Sequence, residues 1–303
     1  MSGAVPEELF RSGFVTLVGR PNAGKSTLLN RLVGQKVSIV SDRPQTTRNQ
    51  VRGVLNGEGH QIVFIDTPGL HKPRTELGRR CNARSLETFG AVDAVCFVVD
   101  ATAPVGSGDR FVAARLAEVP TPVVVALNKT DVAPKAAVAA QLTACSALGD
   151  FAAYVPVSAL TGEGTDTLVG ELGAFLAPGP CYYPPDVVTD QADEFLAAEV
   201  LREKLLATAR EELPHSLAVT VTEFDERDGP EGVLLAIRAV ISVERDSQKG
   251  MVIGKGGSIL RDAGTAARVE LEALLGAKVY LETHVKVEPA WQRSPSALDR
   301  LGF

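Results

Sequence analysis

The chain has 303 residues, 45% of them apolar, with a formal net charge of −6 and a pI near 5.4. That length suits about two domains of ~100–200 residues each, and no apolar run reaches the ~18 residues that a membrane span needs. The acidic balance excludes nucleic-acid binding through bulk positive charge, but local phosphate contacts stay open because charge acts within ~8–10 Å.

Residues 1–11 carry Glu7 and Glu8 and no apolar core, so they predict no secretory signal. Cys81, Cys96, Cys145 and Cys181 lack CxxC spacing and read as free thiols of a reducing cytosol. A cytoplasmic protein is expected.

An apolar strand over residues 14–19 leads into Gly19, Arg20, Pro21, Asn22, Ala23, Gly24, Lys25 and Ser26, which spell GxxxxGKS. A helix start over residues 27–33 follows, opening with Thr27. Between a strand and a helix this spacing is a phosphate cradle. Its glycines let backbone N–H groups turn inward, Lys25 reaches the β- and γ-phosphates, and the Ser26 hydroxyl can ligate Mg²⁺.

Further strands are expected over residues 61–66, 94–100, 122–128 and 154–158, with helices near 110–118, 135–148 and 164–176. Alternating strands and helices predict an α/β fold with a mostly parallel sheet, whose ligands sit at the carboxyl ends of the strands. Three short motifs fall there. Asp66-Thr67-Pro68-Gly69 offers a carboxylate for the magnesium shell and the Gly69 N–H for a γ-phosphate. Asn128-Lys129-Thr130-Asp131 offers a carboxylate that accepts from N1–H and N2–H₂ of guanine. Adenine lacks that donor pair, and a buried unpaired carboxylate penalises it. Ser158-Ala159-Leu160 places the Ala159 N–H to donate to guanine O6. The guanine-reading set argues against a small-molecule kinase built on the same phosphate loop.

Leu70 follows Gly69, where Ras-like enzymes carry a glutamine that orients the attacking water. Slow intrinsic hydrolysis is expected, or a different way of placing the water.

Residues 177–185 are Pro-rich and read as a linker. A long amphipathic helix is expected over residues 190–212, then strands over 217–226 and 233–245 around a turn at Asp228-Gly229-Pro230. Helical segments flank Gly254, Lys255, Gly256 and Gly257, and a last strand covers 278–287. This order describes a small α+β domain. The glycine loop admits a nucleic-acid backbone closely, with Lys255 at its tip and Ile253 and Leu260 as apolar flanks. Residues 245–268 hold Arg245, Lys249, Lys255, Arg261 and Arg268 against Asp246 and Asp262, so the second half is locally basic there.

Together these motifs resemble the translation-factor-related small GTPases, and more narrowly the Era family. Residues 34–41 (GQKVSIVS) followed by Pro44-Gln45-Thr46-Thr47-Arg48 resemble its effector loop. Residues 244–250, 252–257 and Val285-Lys286-Val287 before Trp291 resemble its KH half. The resemblance implies a P-loop GTPase domain over 1–176, a linker over 177–190, a smaller type II KH domain over 191–289 and a tail over 290–303. It also implies Mg²⁺ held by Ser26, Thr47 and Asp66, with Thr47 preferred to Thr46. Lys25, Thr47 and Asn22 are the residues expected to act in hydrolysis, Asn22 by helping to bind K⁺ beside the phosphates. Lys249, residues 253–257 and Arg261 are implied in RNA contact. The implied partners are GTP and GDP, small-subunit rRNA near its 3′ end and the 30S subunit during assembly, with a peripheral membrane contact as a further one. The alternative is a GTPase signalling switch whose C-terminal domain docks a protein or a membrane.

Overall fold

The computed structural model describes residues 10–43, 46–208, 216–229 and 232–303. Outside them lie the N-terminal segment through residue 9, Pro44 and Gln45 of the effector motif, the end of the 190–212 helix, and Pro230 of the predicted turn. The chain divides into two compact units, one built mainly on residues 1–190 and the other on 191–303.

The first unit is a six-stranded sheet in the order β2-β3-β1-β4-β5-β6. The strands are β1 (Arg11–Val18), β2 (Val51–Gly57), β3 (His60–Asp66), β4 (Ala94–Asp100), β5 (Val123–Asn128) and β6 (Ala153–Pro156). All neighbours pair in parallel except β2, which runs antiparallel to β3 along one edge. Strands β4 and β5 are buried at every position, as runs covered on both faces must be. Five helices accompany the strands: α1 (Lys25–Val33), α2 (Glu76–Phe89), α3 (Ser107–Leu116), α4 (Lys135–Ser146) and α5 (Thr165–Gly173). Strand β2 and helix α2 were not expected from the sequence.

The Pro-rich segment is fastened to this unit rather than free. Val188 O accepts from the Val54 N–H at 2.8 Å, Val187 O from Asn56, and Pro180 O from Ser12. The Gln61 side chain accepts from the Tyr182 and Tyr183 N–H groups and donates to the Tyr183 carbonyl. Asp190 closes the strap by accepting from Arg52 and from the Tyr183 hydroxyl.

The second unit packs α6 (Asp193–Thr208), α7 (Asp246–Ile253) and α8 (Ser258–Leu275) on a three-stranded sheet, β7-β8-β9. Strand β7 (Ala218–Gly229) is antiparallel to β8 (Gly232–Val243), and β9 (Lys278–Val287) is parallel to β8. Leu201, Leu205, Ile237, Ile241, Ala267 and Leu271 are among its core residues. The chain after β9 folds back. Trp291 is fully buried, donates its indole N–H to Ser216 O and stacks on Phe303. By packing, residues 39–43 and 46 also belong to this unit. There the Arg202 side chain, 1% exposed, forks onto Glu199 and donates to the Thr46 carbonyl.

Candidate functional site

The phosphate loop joins β1 to α1 at the carboxyl edge of the sheet. Gly24 adopts φ 94°, and a Cβ there would lie 2.2 Å from Asn128 Nδ2, so only glycine fits. Lys25 Nζ donates back to the Gly19 and Arg20 carbonyls, at 3.3 and 3.1 Å, which aims the ammonium along the loop. Burial pushes the Lys25 pKa down, against the pull of Asp66. Asn22 also sits in the left-handed region, at φ 63°. Its carbonyl accepts from Lys129 Nζ at 2.9 Å, and Lys129 pairs with Asp100 at 2.7 Å. Burial pushes the Asp100 carboxyl up, but bonds from Lys129 and Thr102 together carry it below its ordinary value. Gly69 lies against the loop, since a Cβ on it would approach Pro21 N to 2.9 Å.

Beside Lys25, one carboxylate gathers three hydroxyls. Asp66 Oδ2 accepts from Ser26 at 2.6 Å, Ser38 at 3.0 Å and Thr47 at 3.3 Å, and the Ser26 and Thr47 hydroxyls are 3.0 Å apart. Asp66 is fully buried, its Oδ1 has no hydrogen-bond partner, and desolvation pushes its pKa up. A cluster of hard oxygens around an under-satisfied buried carboxylate fits a magnesium ion. Thr46 turns elsewhere, donating to the Ser41 and Arg43 carbonyls. Ser38 was not singled out from the sequence; a serine in a loop carries no signal until the fold places it beside Asp66.

The motifs expected to read the base meet through side chains. Asn128 Nδ2 donates to Ala23 O at 2.9 Å, and its Oδ1 accepts from the Ala159 N–H at 2.9 Å. Asp131 Oδ1 accepts from Ser158 Oγ at 2.7 Å. Asn128 therefore ties the phosphate loop to the loop after β6. The Ala159 N–H expected to meet guanine O6 is engaged with Asn128. Leu160 is exposed, and Thr27 is half-buried in the first turn of α1. Leu70, 2% exposed, turns into the core with Val18, Phe89 and Phe97, away from any role in holding water.

In the second unit, Gly254, Gly256 and Gly257 take φ of 73°, 60° and 75° between α7 and α8. A Cβ on Gly254 would strike Ile259 at 2.7 Å, whereas one on Gly256 would meet nothing within 4 Å. The loop is thus braced at one end and open at its tip, where Lys255 is exposed. Arg261 donates to Gly256 O at 3.0 Å. Lys249 and Ile253 are four residues apart on α7; Ile253 and Leu260 lean on the core and support the loop from below. Among the described residues no helix is long and apolar enough to cross a membrane.

A P-loop GTPase domain followed by a KH domain is the class that this fold and these sites define. Residues 14–129 match the family model described as 50S ribosome-binding GTPase, and residues 212–292 match the KH domain model. The chain is 52% identical to GTPase Era of Mycobacterium tuberculosis over 298 residues, covering 97% of this chain and 99% of that one. GTPase Era of Mycolicibacterium paratuberculosis is 52% identical over 297 residues, with the same coverage. Among solved structures, a variant of Aquifex aeolicus Era bound to GDP and AlF4⁻ superposes with a TM-score of 0.91 at 38% identity, covering 97% of this chain and 99% of that one. An Era complex with MgGDPNP and nucleotides 1506–1542 of 16S ribosomal RNA gives 0.91 at 37% identity with the same coverage. The chain belongs to the Era GTPase family.

Proposed function

We propose that this GTPase works as a GTP-controlled switch that binds small-subunit rRNA near its 3′ end and assists assembly of the 30S subunit in the cytoplasm. One observation carries the nucleotide half: Asn128 bridges Ala23 and Ala159 while Asp131 rests on Ser158, so phosphate loop and base readers form one connected pocket. The RNA half is supported by the open Gly256 tip and by the 16S rRNA held by the Era complex that this chain resembles.

Gly19, Pro21, Ala23, Gly24 and Thr27 line the phosphates, and Asp131 accepts from the guanine edge. The Lys25 ammonium stabilises charge that builds on the β–γ bridge during transfer to water. Ser26, Thr47 and Asp66 would hold Mg²⁺, which when bound neutralises phosphate charge. Thr47 closes on the γ-phosphate state and releases after hydrolysis, giving the switch its two positions. Leu70 supplies no water-orienting group, so turnover is slow. Asn22 is proposed to hold K⁺ beside the phosphates, supplying the charge that an arginine finger would bring. Turnover in potassium salts should exceed that in matched sodium salts, and Asn22→Ala should abolish the difference; equal rates in the two salts would remove K⁺ from the mechanism.

Crosslinking of the full chain to small-subunit rRNA, mapped by primer extension in GTP and in GDP, tests the whole reading. Crosslinks at the 3′ end through residues 249–261 are expected. Crosslinks elsewhere, or none while a protein or vesicle is bound instead, would favour the docking alternative.

A further inference from the structure

The backbone of Ala159 and Leu160, which under the guanine reading borders the base, is held from two sides. The Ala159 N–H donates to Asn128 Oδ1. The two carbonyls are taken by Arg31 in the last turn of α1: Nε donates to Ala159 O at 3.1 Å and Nη2 donates to Leu160 O. The loop then arches over the arginine stem. Gly162, at φ 90°, would place a Cβ 3.6 Å from Arg31 Cδ, and its N–H donates to Ser158 O at 2.8 Å. Arg31 also walls a cleft of about 290 Å³ whose other sides include Thr27, Asn30, Lys36 and Leu160. One planar fork therefore joins the helix that begins at the phosphate loop to the loop after β6, which under the guanine reading meets the six-position of the base. A guanidinium presents its donors in a fixed geometry that spans two carbonyls; an ammonium does not.

We propose that Arg31 is a positioning residue of the guanine pocket: by holding the Ala159 and Leu160 carbonyls it keeps the Ala159 N–H placed to exchange Asn128 for the six-position oxygen of the purine, so that the loop discriminates there. The proposal rests on the reading that this pocket takes guanine. The simpler role for Arg31 is charge compensation at the carboxyl end of α1, which any cation at that position would fill.

Equilibrium binding of GDP, 6-thio-GDP and ADP to the full chain and to variants separates these roles. GDP and 6-thio-GDP differ only at the six-position. Arg31→Ala should weaken GDP by about tenfold, the scale of one lost charge-assisted hydrogen bond, and weaken 6-thio-GDP markedly less, so that selectivity between the two collapses. Arg31→Lys, which keeps the charge and loses the fork, should behave like Arg31→Ala. Overturning results are an unchanged GDP affinity, an equal loss for both guanine nucleotides, or full rescue by Arg31→Lys. If Arg31→Ala does not fold, Arg31→Gln carries the same comparison. Failure of the parent chain to prefer GDP to ADP would refute the guanine reading itself, and is scored before any variant.

Discussion

At the scale of single residues, the nucleotide site is a set of side chains already committed to one another. Asp131 is oriented by Ser158, so an asparagine at this position keeps an oxygen for that hydroxyl and leaves the fold intact. It then presents an amide where guanine offers donors. Asp131→Asn should weaken GTP by roughly 2–4 kcal/mol and weaken xanthosine triphosphate less. Competition binding reads this; equal losses for the two nucleotides would remove Asp131 from base recognition. Thr47 and Thr46 are neighbours with different surroundings, one against Ser26 and Asp66, the other against loop carbonyls. Thr47→Ala should spare GDP and weaken Mg²⁺-GTP, whereas Thr46→Ala should affect the two alike. Titrations with GDP and a non-hydrolysable GTP analogue would show the contrast, and its reversal would hand the role to Thr46.

Secondary elements show which parts of the fold the sequence reveals. Strands β4 and β5 are unbroken apolar runs and are plain to read. Strand β2 is not: Val51–Gly57 contains Gly53, Asn56 and Gly57, types depleted in strands. Gly53 is needed because Leu29 and Val33 of α1 each lie 2.7 Å from where its Cβ would be. Helix α2 hides because charged and small residues dilute its apolar stripe, and only the fold shows that Leu77, Cys81 and Phe89 are its buried side. The phosphate loop was legible because its chemistry demands residue types at fixed spacing, and the motifs proposed to read the base stand out for the same reason. Ser38, Asp100 and Arg31 carry no such signal, since what they touch depends on long-range contacts. The proline-rich strap belongs to the same group; its composition says linker, and its hydrogen bonds to β2 and β3 come from tertiary context. Gln61, fully buried, makes three bonds to the strap at Tyr182 and Tyr183 and one to Asn56. Gln61→Ala strands several of these groups and should destabilise the first unit by about 2–3 kcal/mol. Urea unfolding followed by nucleotide release measures it, and a change below about 0.5 kcal/mol would show that the strap is not fastened there.

On the scale of the whole molecule, a net charge of −6 constrains how the proposed RNA binding can work. Long-range attraction then contributes little, and affinity must come from a few contacts at close quarters, within about one Debye length. That predicts a shallow salt dependence set by residues at the glycine loop. Lys255→Ala should flatten the slope of log affinity against log salt by about 0.7, the value of one phosphate contact on a single strand. Gly256→Asp should act differently. The backbone at φ 60° strains any side chain, aspartate less than most, and its Cβ meets no neighbour within 4 Å, so the cost to the fold is local. The side chain and its negative charge project where an RNA backbone would pass, so RNA binding should be lost at every salt concentration. GTP affinity should stay at the parent value in both variants, because the loop and the nucleotide pocket belong to different compact units. Filter binding across a salt series, run beside nucleotide titrations, yields all of these quantities. Parental RNA affinity in both variants would move recognition away from the glycine loop, and a parallel fall in GTP affinity would mean that the substitutions had damaged the protein rather than its RNA contact.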